Sequence, residues 1–233
     1  MQKLIYPIWK ADDISAEAFR STLLKTLSPK LISLGTLKLR ICVADEDVAA
    51  AASYIITSDD DPIDGLVSIW VNSYLYRSKI EREIAAHVGR YSGYSVWESE
   101  PLANKDHATP IGHRTPGMSE IVLLRKPDQL DHSDWLDLWH NYHTPVAIET
   151  QSTFGYRQNV VIQSLTPDAL HQDAIIEENF PAPAIHSRMA FYDAGDDNDL
   201  YRERERKMID SCTRFIDFKK MDCIPMSEYI MQA

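Results

Sequence analysis

The stretch KPDQLDHSDWLDLWHNYHTP, residues 126–145, has a counterpart in KADDISAEAFRSTLLKTLSP, residues 10–29, which lies 116 residues earlier in the same chain. Few residues are identical, but the features follow in the same order, and Ser28-Pro29 aligns with Thr144-Pro145. The large apolar residues also align: Ile14 with Leu130, Phe19 with Trp135, and Leu23 with Trp139. An internal repeat of this length indicates a fold built from two similar units.

The rest of each half is consistent with that repeat, because both halves read as strand, helix, strand, strand, helix, strand. In the first half, KLIYPIW, LKLRICV and GLVSIWV have the apolar or alternating patterns of strands. In the second half, EIVLLRK, FGYRQNVVIQ and AIIEENF follow the same plan. A βαββαβ unit forms a four-stranded antiparallel sheet with both helices on one face. The other face is too apolar to remain in water, so we predict an α+β fold in which two tandem ferredoxin-like repeats pack as one barrel-like body.

The predicted domain boundaries follow from the repeat. Residues 1–102 form the first repeat, which we expect to be degenerate in function, and residues 119–233 form the second. Residues 103–118, rich in proline and glycine, are the predicted linker.

Composition excludes several classes of partner. The net charge is −11 and there is no basic tract, so nucleic acid is not an expected partner. No apolar run approaches the ~20 residues of a membrane-spanning helix, and no secretory signal is evident. The three cysteines follow no metal-binding or disulfide pattern. We expect a cytoplasmic protein with reduced thiols that does not bind membranes.

Two segments resemble a known family. Residues 125–147, RKPDQLDHSDWLDLWHNYHTPVA, resemble the signature of the EthD-like proteins, in which a strand ends in Arg-Lys-Pro and a helix runs Trp-x-x-x-His-x-Pro. The tail RFIDFKKMDCIPMSEY, residues 214–229, is similar to that family's closing helix–strand segment. The resemblance implies the dimeric α+β barrel fold, normally assembled from two chains and here supplied by one. EthD-like proteins are associated with degradation of ethers and aromatics, and related folds include cofactor-free monooxygenases, polyketide cyclases and dehydratases.

His143 is the main candidate for chemistry. At about 100° per residue it lies at the edge of the apolar face that Trp135 and Trp139 define, and the repeat places Leu27 at the matching position. Pro145 predicts that the helix ends near His143. The helix end would favour the protonated imidazole and burial the neutral one, which predicts a pKa near the ordinary value. The resemblance implies a site role, since the family's motif histidine aligns with His143. The alternative is a structural histidine that ties the helix end to a carbonyl.

Other candidates are weaker, and each has a structural alternative. Tyr156 could place its phenol over a cavity or be core, and strand alternation points either Glu177 or Glu178 inward. For a catalytic set we select His143, Tyr156 and Glu178. The predicted substrate-binding residues are Arg125, Trp139, Tyr142, His186 and Tyr192. We expect His140 to be solvated, and we expect neither a metal nor a cofactor, because no phosphate loop, HExxH or third metal ligand is present.

Three functions fit these residues. The first is a cofactor-independent enzyme in which His143 is the general acid/base for dehydration, cyclisation or isomerisation of a small hydrophobic aromatic or polyketide-like molecule. The second is a cofactor-free oxidoreductase, resembling a monooxygenase, that acts on a phenol. The third is a non-catalytic protein that carries a hydrophobic ligand for a degradative pathway. A monomer and a homodimer are both compatible with the repeat.

Overall fold

The structure, a computed structural model, describes residues 1–58 and 61–233. The strands of the first half are β1 (Gln2–Trp9), β2 (Lys38–Val43), β3 (Gly65–Val71), β4 (Arg90–Tyr91) and β5 (Tyr94–Leu102). Those of the second half are β6 (Met118–Leu124), β7 (Gly155–Ser164), β8 (Ala174–Phe180) and β9 (Met221–Gln232). Among the described residues, eight of these strands close an antiparallel barrel in the order β1-β3-β2-β9-β6-β8-β7-β5 and back to β1. The mixed α+β class is thereby confirmed.

Helices pack outside the barrel on both halves. In the first half they are α1 (Ala16–Thr22), α2 (Ser28–Ser33) and α3 (Ser78–Ala85). In the second half they are α4 (His132–Asp137), α5 (Thr144–Thr150), α6 (Arg188–Phe191) and α7 (Asn198–Cys212). Short 3₁₀ helices cover Glu46–Tyr54, Tyr74–Tyr76 and Ala182–Ile185. None of the described helices is both long enough and apolar enough to span a bilayer.

Strands β1, β3, β6 and β8 are buried on both faces, which explains why their sequences are mostly apolar. Strand β5 and the C-terminal part of β7 have exposed residues. Side chains on one face of each strand point into the barrel, where Ile5, Leu66, Ile121 and Ile175 share one cluster. Alternate residues point outward under the helices and form separate clusters in the first and second halves. Period-two alternation therefore separates two environments, the barrel interior and the layer between sheet and helices.

The predicted end of the helix at His143 is wrong. A π-helical turn, Leu138–His143, links α4 to α5, and Thr144 has helical dihedrals (φ −54°, ψ −47°). The Thr144 hydroxyl donates to the Trp139 carbonyl at 2.9 Å, five residues back. The wider turn accommodates Pro145, whose ring and missing N–H would disrupt a regular α-helical turn. Because the helix continues, no helix dipole end stabilises a protonated His143.

The barrel interior also contains buried ion pairs that join the two halves. Lys3 of β1 contacts Glu177 of β8 at 2.6 Å and Asn159 of β7 at 2.8 Å, and its side chain is fully buried. Arg40 of β2 contacts Glu177 at 2.9 Å and Glu228 of β9 at 3.2 Å. Burial by itself would raise the pKa of Glu177, but Lys3 and Arg40 outweigh that effect and lower it, so the carboxylate stays ionised.

The predicted linker packs on the barrel rather than standing free. Thr115 is buried and donates to Glu228, and Arg114 forms an isolated bridge with Tyr229. Gly117 has φ +94°, and a Cβ there would lie 1.8 Å from the Phe180 carbonyl oxygen. The turn into β6 therefore requires glycine.

Candidate functional site

A cavity of about 240 Å³ lies in the second half, between the outer face of the sheet and the helices. His143, Tyr156, Glu178 and Tyr192 of the predicted site line it, together with Glu120. Most of its wall is apolar or aromatic: Val122, Ile176, Phe191, Met208, Phe215, Phe218 and Met221. The first half closes one side through Ser53, Tyr54 and Ile56. An apolar chamber with a few convergent polar groups is typical of a small-molecule site.

A row of three polar side chains crosses the floor of this cavity. Glu178 of β8 pairs directly with Tyr156 of β7 on one side and with Glu120 of β6 on the other. Directly opposed residues in antiparallel strands bring their Cβ atoms to about 5 Å. The three side chains therefore lie side by side on the helix-facing surface.

The corresponding row of the first half is hydrocarbon. There Ile69 of β3 pairs with Leu39 of β2 and with Leu4 of β1. All three are buried in the core between sheet and helices, as is Leu27, the counterpart of His143. The same place in the fold thus holds a packed core in one half and an open polar cavity in the other.

Glu120 and Glu178 are both buried, with 7% of each residue exposed. Burial raises the pKa of Glu120 to about 7. Burial, followed by the charge of Glu120, raises the pKa of Glu178 to about 8. Two adjacent buried carboxyls titrate as a pair, and at neutral pH this pair retains at least one proton. The Oε1 atom of Glu178 is buried and has no hydrogen-bond partner within the described residues.

The imidazole of His143 is 5% exposed and lines the cavity. Its Nδ1 lies 2.8 Å from the Ser211 hydroxyl oxygen, and that hydroxyl donates its own proton to the Met208 carbonyl. We therefore assign the proton to Nδ1, which leaves the Nε2 lone pair as a base. Burial lowers the pKa of His143 to about 4, below the value predicted from the sequence. The imidazole is neutral at physiological pH because the helix end expected to oppose burial is not there.

The phenol oxygen of Tyr156 accepts hydrogen bonds from two residues that do not line the cavity. The indole Nε1 of Trp139 donates to its oxygen at 3.0 Å and the Gln158 amide at 3.4 Å. Burial raises the pKa of Tyr156, so the phenol remains protonated. Trp139 is fully buried and absent from the cavity wall, so it acts on the site through Tyr156.

Besides Trp139, three other predicted substrate-binding residues lie outside the cavity wall. Arg125 donates to the Lys220 carbonyl at 3.2 Å, and His186 is exposed at the end of a 3₁₀ turn. Tyr142 is 42% exposed and stacks against Arg214. The extra residue in the π turn rotates the buried face from Tyr142 to His143, a shift that regular helical spacing does not predict. His140, expected to be solvated, is half-buried against Trp139.

Several polar groups that line this cavity were not predicted from the sequence. Glu120, Arg188, Cys212 and Cys223 all line it, and the Cys212 sulfur lies 4.0 Å from His143 Nδ1. Glu120 had a signal in the sequence, because the shift of 116 residues that aligns His143 with Leu27 also aligns Glu120 with Leu4. The two cysteines could not be predicted from the sequence, because cysteine occurs both in apolar cavity walls and in packed cores.

Within residues 1–58 and 61–233, one cluster of potential metal-ligand atoms lies elsewhere, inside the barrel. Oxygen atoms of Glu177 and Glu228 and the sulfur of Cys42 lie within 4.8 Å of one another. Both carboxylates already contact Arg40, and Glu177 also contacts Lys3. Since these cations balance the charge, the donor set does not fit a metal ion without displacing them.

Comparison with known proteins identifies the fold alone. No family model matches the chain, and no curated protein sequence matches it. Among solved structures, an anthrone oxidase-like protein superposes with a TM-score of 0.55 at 6% identity, over 100% of this chain and 93% of the other. A protein from Lactobacillus acidophilus, provisionally assigned as a monooxygenase, gives 0.51 at 12% identity over 100% and 97%. One from Fusobacterium nucleatum with the same assignment gives 0.51 at 10% identity over 99% and 92%. These similarities fit the dimeric α+β barrel fold.

Proposed function

We propose that the cavity of the second half binds a small, neutral, aromatic or polyketide-like molecule and catalyses a proton-transfer step on it, without a cofactor. One observation carries this proposal: polar groups line an open cavity where the equivalent place in the first half is closed hydrocarbon. Buried polar groups without full partners destabilise a fold. Their presence beside a cavity is therefore explained by a bound ligand that supplies the missing hydrogen-bond partners.

The side chains have separate roles in this proposal. His143 is neutral with a free Nε2 and acts as the general base, which contributes roughly 10²–10⁴-fold to rate. Tyr156 keeps its proton and orients a carbonyl or hydroxyl of the substrate. Glu178 shares the proton, and Tyr192 forms part of the aromatic wall. Dehydration, cyclisation and isomerisation all use such a step.

The proposal includes tandem repetition, with the first half, residues 1–102, as a copy that lacks the site. The strand order is β5-β1-β3-β2 in that half and β9-β6-β8-β7 in residues 119–233, which supports repetition. The Ser28 hydroxyl donates to the Leu23 carbonyl five residues back, as Thr144 does to Trp139. The motif that includes His143 makes an EthD-like origin our preferred assignment, and we propose a cytoplasmic location.

A second candidate is a cofactor-free oxidoreductase. The structural neighbours described as anthrone oxidase-like and provisionally as monooxygenases favour it. In this version His143 deprotonates a phenol, and the resulting electron-rich anion then reacts with dioxygen. Consumption of oxygen on addition of anthrone or 1-naphthol, abolished in His143→Leu, separates it from redox-neutral chemistry. Turnover of the substrate under argon supports the first candidate instead.

The binding site is tested by thermal shift with 1-naphthol, anthrone and the anion 2-naphthoate. We expect the two neutral compounds to raise the melting temperature and 2-naphthoate to have little effect. His143→Leu, which copies Leu27 of the first half, should fold and lose at least tenfold in affinity. His186→Leu removes an exposed imidazole outside the cavity and should bind as the wild type does.

Two outcomes revise the proposal. If His143→Leu raises the melting temperature and leaves binding unchanged, the imidazole is structural and the site assignment is wrong. If binding is strong but no reaction occurs with or without oxygen, the protein is a carrier of a hydrophobic ligand.

A further inference from the structure

Glu120 is the one acidic group of the cavity floor that the proposed function leaves without a role. It is opposite Glu178 in the β6–β8 register, and both line the cavity. The matching pair in the first half is Leu4 and Ile69. Two adjacent buried carboxyls without a countercharge between them are costly, because each disfavours ionisation of the other. Glu178 Oε1 also lacks a partner within the described residues.

We propose that Glu120 and Glu178 form a catalytic pair that shares one proton and interconverts the keto and enol forms of a neutral aromatic ketone. This inference rests on the proposed binding of a neutral aromatic molecule in the cavity and names the substrate class and reaction, but it gives the proton transfer to the pair in place of His143. It assigns the transfer to two carboxyls on the rigid floor, with Tyr156 beside them to hold the carbonyl. The two carboxyls occupy directly opposed positions on neighbouring strands, about 5 Å apart at Cβ. They can therefore reach the carbonyl oxygen and the adjacent carbon of one flat molecule.

The step balances without any other reactant. The ionised carboxylate removes a proton from the carbon next to the carbonyl, and the C–H electron pair forms the new C=C bond. The C=O π electrons move to oxygen, which takes the proton of the protonated partner to form O–H. Afterwards the pair still holds one proton, now on the other residue, so either residue can begin the reverse step.

The other titratable groups around the pair do not share its pH range. Five of them have a pKa raised by burial and stay protonated: Tyr54, Tyr156, Tyr192, Cys212 and Cys223. His143 is neutral above about pH 4. Arg188, whose side chain is 48% exposed, is the cation of the cavity wall and lowers the pKa of Glu120. Activity should therefore follow the two carboxyl ionisations and peak where the pair holds one proton.

The pair also determines which ligands can enter. A ligand anion would meet a negative charge in a buried site of low dielectric, so carboxylates and phenolates are disfavoured. A neutral ketone accepts a hydrogen bond from the protonated member and presents its acidic C–H to the ionised member.

The experiment measures deuterium incorporation into 2-tetralone in D₂O under argon by mass spectrometry, from pD 5 to pD 10. We expect the wild type to accelerate exchange at least tenfold over buffer, with a bell-shaped pD profile. Glu120→Gln and Glu178→Gln should each lose at least tenfold while still binding the ketone in thermal shift. Glu120→Asp keeps a carboxyl and should recover part of the rate. Glu149→Gln, an exposed carboxyl on α5, is the matched control and should exchange as the wild type does.

The outcomes separate this inference from the proposed function. Exchange that is lost in both Gln variants but kept in His143→Leu supports the pair and contradicts the role of His143. Exchange that is lost in His143→Leu but kept in both Gln variants overturns the pair and leaves the proposed function intact. Wild-type binding of 2-tetralone without faster exchange overturns the pair alone. Neither binding nor exchange overturns both.

Discussion

At the scale of single residues, the cavity is defined by substitutions between the two halves. Leu27, Leu4 and Ile69 are replaced by His143, Glu120 and Glu178 at equivalent places. Each replacement exchanges hydrocarbon packing for a polar group whose neutral form burial favours. The cost in stability is concentrated where the chemistry is proposed, which is the common relation between function and stability.

The carboxyl pair should make stability depend on pH. Its folded pKa values lie above the ordinary carboxyl value, so its contribution is fully present below about pH 4.5 and is lost as the pH rises to about 8. The double variant Glu120→Leu, Glu178→Ile copies the first half and removes this dependence. Its melting temperature relative to wild type should therefore rise by about 5 °C or more between pH 5 and pH 8.5, measured by calorimetry.

His143 titrates with the opposite sign, since its folded pKa is depressed and stability is lost as the pH falls from about 6.5 to about 4. That dependence is present in both proteins and cancels in the difference. Glu149→Gln provides the exposed control. A difference that stays flat across the pH range would show that the two carboxyls are ionised at little cost.

At the scale of elements, the π turn (Leu138–His143) places the His143 side chain at the cavity wall. Its first-half counterpart, Leu23–Leu27, also precedes a proline and is also closed by a hydroxyl that bonds five residues back. Both turns allow one helix to continue past a proline while shifting the phase of its buried face.

Thr144→Val tests the closure of that turn. The Thr144 hydroxyl donates to the Trp139 carbonyl at 2.9 Å and accepts from the Gln158 amide at 2.7 Å. Valine removes both bonds, which leaves the Trp139 carbonyl with the Thr144 backbone N–H and the Gln158 amide with its longer, 3.4 Å bond to Tyr156. We expect a loss of about 2 kcal/mol in the free energy of unfolding, one for each hydrogen bond, measured with urea.

Thr150→Val is the matched control for this turn. Thr150 is equally buried, but its hydroxyl bonds only to the Val146 carbonyl four residues back, so we expect a loss of about 1 kcal/mol. If the two variants lose the same amount, the hydroxyl at the π turn has no special role.

At the scale of the whole molecule, the two halves are joined by a closed barrel with ions inside it. Lys3 and Arg40 come from the first half, and Glu177 and Glu228 from the second. Since the barrel closes within one chain, a homodimer would have to use another surface. The site also needs both halves, because Tyr54 closes the cavity and donates to the Ala184 carbonyl.

Lys3→Met tests the buried ion pairs that connect the two halves. It leaves Glu177 buried with one cation fewer, and breaking a buried pair from one side costs about 3–5 kcal/mol. We expect a loss of that size with a single cooperative transition, since neither half keeps its interior without the other. The comparison is Lys30→Met, which removes an exposed lysine that contacts Glu83 and should change stability by less than about 1 kcal/mol. Separate unfolding transitions of the two halves would contradict the expectation that these ion pairs couple their unfolding.

The sequence by itself determined the α+β class and the assignment of most strands, and it singled out position 143 as the main candidate for chemistry. Those features follow from local periodicity and from the alignment of residues 10–29 with 126–145. The structure confirms a barrel of the predicted class. Tandem repetition stays a prediction that the matching strand orders support. Only the tertiary structure decided which of Glu177 and Glu178 faces the cavity, because alternation leaves both faces equivalent until packing distinguishes them. It also decided the neutral state of His143, the phase shift at the π turn and the pairing of Glu120 with Glu178. Apart from the π turn, whose hydroxyl bond spans five residues, these features depend on contacts between residues far apart in the chain, and local sequence patterns do not predict such contacts.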